Sequence, residues 1–301
     1  MLFSGALSRR AGVPVVLKCE NLQRTGSFKI RGAAARLQAL TAAERTRGVV
    51  TCSSGNHGHA VACIGRQLDV PVTVCVPEWV DSSKREGMER YGARVVAAGT
   101  TFDDAEVQAL EVCAREHRIY ISAFDDPLVI AGQGTIGLEL LEQCPDLTTV
   151  VVPMSGGGLV SGIGLAVREQ GVDVVAVSAS AARVMYESVR AGRVVVRDEE
   201  PTLASALAGG IGRPNRYSLD LVRRVVDHHY LVGEPALATG MALAARAHRL
   251  VVEGGGAAGL AAVLDGWRPA RKGTVAVVVS GGNIDPSTWL ETVAAVPRDS
   301  R

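Results

Sequence analysis

Short runs rich in valine, isoleucine and threonine recur along the whole chain, each followed by a stretch of helical character. The runs are VPVVLK, GVVTCSS, VPVTVCVP, ARVVAAG, RIYIS, TTVVVPM, DVVAVSA and GTVAVVVSGG. A strand that is apolar at nearly every position, not at alternate ones, must be covered on both faces, and intervening helices supply the cover. The pattern constrains the fold to α/β with mostly parallel sheets. Between the runs, Ile30, Ala34 and Leu37 share one helical face, as do Val61, Gly65 and Leu68, and Ile136, Leu138 and Leu141. The alanine-rich segment from Glu234 to Leu264 is interrupted by EGGGAAG, which predicts two helices meeting at a tight glycine junction.

No low-complexity linker and no fixed-period repeat divides the 301 residues. A second domain must then be inserted in the first. Residues 48–125 hold their own strand and helix alternation, so the expected organisation is a small inserted α/β domain at 48–125 within a large domain made of 1–47 and 126–301. Lys and Arg number 32 against 31 Asp and Glu, without the cationic excess that phosphate backbones or anionic membranes reward. Nucleic acid and membrane are therefore not expected partners. No apolar run reaches the ~18 residues of a membrane span, and in MLFSGALSRRAG the charges follow a short apolar piece, unlike a signal peptide. Six cysteines lie at 19, 52, 63, 75, 113 and 144 with no CxxC pair and no metal-ligand spacing. They read as reduced thiols of a cytoplasmic protein.

Chemistry concentrates in four stretches. TGSFKIRGA, residues 25–33, places Lys29 between Phe28 and Ile30 at the first turn of a helix; the ammonium either snorkels to water or is held inside for reaction. Three small-residue loops directly follow strand candidates, where open α/β sheets bind ligands. In TCSSGNHGHA, residues 51–60, Ser53, Ser54, Gly55 and Asn56 expose amides and hydroxyls suited to a carboxylate, or simply cap a helix. In PMSGGGLVSG, residues 153–162, Gly156, Gly157 and Gly158 let a phosphate approach the backbone, or form a bare turn. In VVVSGGNID, residues 277–285, Ser280 either ends a strand or offers its hydroxyl to a ligand's ring nitrogen.

Together and in order, these stretches resemble the fold-type II pyridoxal-phosphate-dependent enzymes, and within them the threonine and serine dehydratase group, over nearly the whole chain. KCENLQRTGSFKIRGA resembles the family's lysine motif, SSGNHG its substrate loop, AFDDPLVIAGQGTIGLEL the helix behind the cofactor, PMSGGGL its phosphate loop and SGGNID its ring-nitrogen serine. The resemblance implies a tryptophan synthase β-like α/β fold, with two open, mostly parallel lobes and the smaller inserted in the larger. It implies pyridoxal 5'-phosphate as cofactor, Lys29 as the Schiff-base lysine, Phe28 beside the pyridine ring and Asn56 at the 3-hydroxyl. Ser155, Gly156, Gly157, Gly158 and Leu159 would surround the phosphate, with Glu253 near the cofactor and Ser280 at the ring nitrogen. Ser53, Ser54, Gly55, Asn56 and His57 would surround the substrate carboxylate, His57 through its backbone. The implied reaction is β-elimination on a small L-hydroxy amino acid such as L-threonine or L-serine, giving a 2-oxo acid and ammonia, in a homodimer.

Alternatives stay open. Ser54 matches a serine that exchanges a proton in the family's racemases. TLASALAGGIG replaces the usual TIADG, with Ser205 where Asp is common; with GGIGRPNRY it resembles the subgroup named for hydroxyectoine utilisation. Ser155 stands where the phosphate loop commonly has a glycine. Ser178 and Val184 stand where many members bind a divalent cation, and valine offers no oxygen, so no metal is expected. The chain begins inside the family's first strand region, without the preceding helix and TP signal, and no feedback-regulatory domain is expected after the catalytic one. A protein that kept the fold and lost turnover is the remaining alternative.

Overall fold

The computed structural model describes residues 1–212 and 214–297. Its strands are β1 (Leu2–Phe3), β2 (Val15–Cys19), β3 (Val49–Cys52), β4 (Val72–Val76), β5 (Arg94–Ala97), β6 (Ile119–Tyr120), β7 (Leu147–Pro153), β8 (Asp173–Ala179), β9 (His228–Val232) and β10 (Thr274–Val279). The helices are α1 (Gly5–Ala11), α2 (Lys29–Gln38), α3 (Ala42–Arg47), α4 (Asn56–Gln67), α5 (Ser82–Glu89), α6 (Phe102–Glu116), α7 (Pro127–Gln143), α8 (Gly158–Val167), α9 (Val184–Ala191), α10 (Ser218–Val225), α11 (Glu234–His248), α12 (Gly254–Leu264) and α13 (Pro286–Ala295). Each of the eight apolar runs contains a strand. β1 and β9 were not among them: β1 is too short to show a pattern, and His228 and His229 open β9 with polar residues.

Among the described residues, a six-stranded sheet runs β1–β2–β10–β7–β8–β9, parallel except where β1 meets β2. A second sheet, β5–β4–β3–β6, is wholly parallel. This is the α/β architecture that the alternation predicts. Period-two geometry divides the larger sheet's side chains. Val275, Val277 and Val279 join Val151 and Val175 against α1, α11 and α12, while Ala276 and Val278 join Val150, Val152 and Val174 against α7 and α8. In the smaller sheet, Val49, Val74 and Val76 pack with α2 and α4, and Val50, Cys52 and Cys75 with α6. That smaller core takes Ala33 and Leu37 from α2 and Val129 from α7, and α7, whose Ile136 and Leu140 lie in the larger sheet's core, serves both sheets. All six cysteines are free thiols.

Two expectations need correction. The inward face of α7 carries Ile136 and Leu140, while Leu138 is 59 % exposed and Leu141 only partly buried; the glycines at 132, 134 and 137 form the actual contact stripe and carry no hydropathy signal. The glycines of EGGGAAG are not the junction. They lie inside α12, and the turn from α11 is made by Arg249 in the left-handed region at φ 58°. Gly254 and Gly256 are needed for close approach, since a Cβ on Gly254 would lie 2.2 Å from the Leu203 carbonyl oxygen and one on Gly256 2.2 Å from that of Gly281.

Candidate active site

The loops after β3, β7 and β10 and the first turn of α2 converge on one cleft between the two sheets, with about 1030 Å³ of empty space including its mouth. Every candidate site residue of the sequence lines it: Phe28, Lys29, Ser53, Ser54, Gly55, Asn56, His57, Ser155, Gly156, Gly157, Gly158, Leu159, Glu253 and Ser280.

Lys29 is set there by backbone pairing. The Phe28 N–H donates to the Ser280 carbonyl at 3.0 Å, Gly282 N–H to Gly26 at 2.9 Å, and Ser27 bridges Gly281. These contacts zip the lysine segment to the turn after β10. From the other side, Arg31 Nε donates to Glu20 at 2.8 Å and its Nη1 to Glu139 at 2.6 Å, and Gly32 N–H reaches buried Gln133 Oε1 at 3.3 Å. Lys29 Nζ donates to the Ala123 carbonyl at 2.8 Å and stands 5.2 Å from the centre of the Phe28 ring. Ile30 packs into the smaller sheet's core. Burial pulls the Lys29 ammonium from the usual 10.5 down to about 8, against the opposing charge of Glu253. At neutral pH about a tenth of it is then free base, far more than for a surface lysine.

Glu253 caps α12 and is buried; burial pushes its carboxyl up to about 7, although a hydrogen bond from Asn56 and the charges of Lys84 and Lys29 pull it back. Asn56 Nδ2 donates to Glu253 Oε1 at 2.7 Å, and Asn56 Oδ1 accepts from Asn283 Nδ2 at 2.6 Å. Asn283 also donates to the Thr25 carbonyl at 2.7 Å. The Asn56 amide is thereby fixed with its second Nδ2 hydrogen free for a ligand. His57 Nε2 lies 3.3 Å from the Ile121 carbonyl, which can only accept, so Nε2 carries the proton. Burial, with the Lys29 charge, lowers the His57 imidazole to about 3 and keeps it neutral.

Gly157 adopts φ +87° and caps α8. A Cβ on Gly156 would lie 2.3 Å from the Phe124 ring, and one on Gly158 2.8 Å from the Phe124 backbone. Among the described residues, no acceptor meets the N–H groups of Ser155 through Leu159. Five successive unpartnered donors at the start of a helix are what a phosphate needs. With a desolvated amine and the Ser280 side chain on the same cleft, the residues fit pyridoxal phosphate.

Sequence reasoning missed three contributors. Asn283 lay within a quoted motif, but only its contact with Asn56 shows its use. Phe124 and Lys84 also line the cleft, beside Ser205, which the sequence marks only as a departure from the common Asp; Lys84 lies in DSSKREGM, which reads as an ordinary solvated helix. No three His, Cys, Asp or Glu side chains among the described residues are grouped to hold a metal, and Ser178 Oγ donates to the Met154 carbonyl at 2.9 Å.

Residues 1–281 match the model of the family described as pyridoxal-phosphate dependent enzyme. The L-threonine ammonia-lyase of Thermotoga maritima is 40% identical over 287 residues, covering 95% of this chain and 71% of that protein. The catabolic L-threonine dehydratase TdcB of Escherichia coli K12 is 39% identical over 290 residues, 94% of this chain and 87% of its own. Among solved structures, maize serine racemase superimposes with a TM-score of 0.90 at 31% identity, covering 97% of this chain and 90% of that one. The chain belongs to the pyridoxal-phosphate dependent enzyme family, with the fold-type II architecture and the cofactor that membership entails.

Proposed function

We propose that the protein is an ammonia-lyase that removes the β-hydroxyl and the amino group of a small L-hydroxy amino acid, L-threonine or L-serine, giving a 2-oxo acid and ammonia. The observation that carries the reading is the meeting, in one cleft, of a depressed-pKa amine, five free amides and the Ser280 hydroxyl. The threonine lyases among the relatives supply the reaction class.

When bound, pyridoxal phosphate supplies an aldehyde carbon and a ring that withdraws electrons from the substrate's α-carbon. The chain's residues do the rest. The amides of Ser155 to Leu159 would hold the phosphate, Asn56 Nδ2 would donate to the 3-hydroxyl, and Phe28 would lie beside the ring. Ser280 Oγ would donate to the ring nitrogen without giving up a proton, which would leave the ring a modest electron acceptor suited to expelling a β-substituent. Lys29 Nζ would take the α-proton. Ser53, Ser54, Gly55, Asn56 and His57 seat the substrate carboxylate; the N–H groups of Ser54, Asn56 and His57 have no acceptor among the described residues. Neutral His57 takes no proton-transfer role.

Ser205 and Gly210 line the cleft, which supports a second reading as a hydroxyectoine-utilisation dehydratase, and Ser54 supports a racemase side activity. The same reading takes 48–125 as the smaller domain of a cytoplasmic homodimer without a metal. Added pyridoxal phosphate is expected to give an absorbance band at the violet end that Lys29→Ala abolishes, and 2-oxo acid release from L-threonine or L-serine should depend on Lys29. A band that persists in Lys29→Ala refutes the assignment of the amine. Release of 2-oxo acid only from a hydroxyectoine-derived amino acid moves the conclusion to the second reading.

A further inference from the structure

Helix α5 brings a second ammonium to the cleft wall. Asp81 caps this helix, its Oδ1 accepting from the Lys84 N–H at 2.9 Å, and its Oδ2 stands 3.6 Å from Lys84 Nζ. At that distance the two charges attract without a hydrogen bond, so the ammonium keeps donors to offer. The Lys84 stem lies over the substrate loop: a Cβ added to Gly55 would sit 3.7 Å from its Cδ and 3.9 Å from its Cε. Helix α5 is held against α4, because His59 Nε2 meets the Lys84 carbonyl at 3.0 Å and a Cβ on Gly87 would come within 2.5 Å of the His59 ring. The charge also acts on the cleft interior, since Lys84 is among the groups that pull the buried Glu253 carboxyl down.

The same loop presents the unpartnered N–H groups of Ser54, Asn56 and His57. Neutral amides fix the geometry of a bound anion, whereas an ammonium supplies its full countercharge. Lys29 is committed to the reacting carbon, and Lys84 is the other lysine lining the cleft.

We propose that Lys84 binds the α-carboxylate of the amino-acid substrate, exchanging its loose pairing with Asp81 for that contact, and thereby sets substrate affinity. The inference rests on the lyase reading and adds to it the residue that neutralises the substrate's negative charge. Asp81 stays engaged as the cap of α5 after the exchange, so releasing the ammonium leaves the helix start intact. Because the side chain is 27% exposed, solvent screens the contact and its effect falls at the low end of charged hydrogen bonds.

The test uses the holoenzyme and reads binding by the perturbation of the cofactor absorbance, and turnover by 2-oxo acid release. Lys84→Gln is expected to raise KM for L-threonine or L-serine about tenfold, with kcat changed less than twofold. Lys84→Arg should restore most of the loss. Affinity for L-serinamide, which lacks the carboxylate, should be the same in all three proteins. Equal weakening of acid and amide, an unchanged KM, or a loss confined to kcat would overturn the inference while the cofactor band upholds the lyase reading. Absence of that band in the unaltered protein would refute the lyase reading and the inference with it.

Discussion

Replacing the buried Lys29 amine should make the cofactor-free protein more stable. Lys29 is depressed from 10.5 to about 8, so below pH 8 the folded state holds a charge that the unfolded state would solvate better. Linkage sets that cost at about 3 kcal/mol. Methionine has similar length and volume and no charge, but it forfeits the Nζ hydrogen bond to Ala123, about 1 kcal/mol. Lys29→Met is therefore expected to gain about 2 kcal/mol at pH 7. The sign with pH is fixed. Between about 8 and 10.5 the unfolded lysine is still protonated and the folded one is not, so the unfolded state binds more protons and the unaltered protein gains stability as pH rises. The gap should be constant below pH 8 and close by pH 10. Urea unfolding of both cofactor-free proteins at pH 7 and pH 10 measures it. A variant that is no more stable at pH 7, or a gap of equal size at pH 10, would show that the amine is not held out of water.

Two further substitutions probe the cradle. Gly158→Ala places a methyl 2.8 Å from the Phe124 Cα and carbonyl oxygen, backbone atoms that cannot turn aside; a destabilisation of about 1–3 kcal/mol and at least tenfold weaker cofactor binding are expected by thermal unfolding and absorbance titration. Asn283→Ala removes the donor that holds Asn56 Oδ1, so cofactor affinity should fall severalfold and stability by about 1–2 kcal/mol while the phosphate-loop backbone stays in place; unchanged affinity would mean that Asn56 needs no orienting partner.

Legibility in the sequence followed the range of the physics. Strands buried on both faces leave continuous apolar runs, so the two parallel sheets could be read directly, and loops after such strands located the cleft. The lysine and the glycine loop were legible because each asks for a residue type that the local structure alone does not reward. Contacts between distant segments were not. Nothing near Asn283 announces a bond across 227 positions to Asn56, and Lys84 looks like any helix-surface lysine until α5 is folded over Gly55. The face of α7 was misread for a related reason: its packing surface is made of glycines, which hydropathy scores as neither inside nor outside, while exposed Leu138 suggests an inward stripe.

Holding an amine away from water needs a rigid mount, and the mount is α2. Its first turn is clamped to the larger sheet: Arg31 lies between Glu20 and Glu139, and Lys18 also pairs with Glu139, whose carboxyl these two cations hold down to about 2. Partly buried ion pairs of this kind fix orientation more than they add stability. Gly132 brings α7 so close that a Cβ there would lie 2.6 Å from the Arg31 carbonyl oxygen, and the turn at Ser280 to Gly282 closes the opposite side. Further along, Ala33 and Leu37 of the same helix enter the smaller sheet's core beside α4. One helix, buried in the smaller sheet's core, is thus tied through Arg31 to Glu20 beyond β2 and to Glu139 of α7.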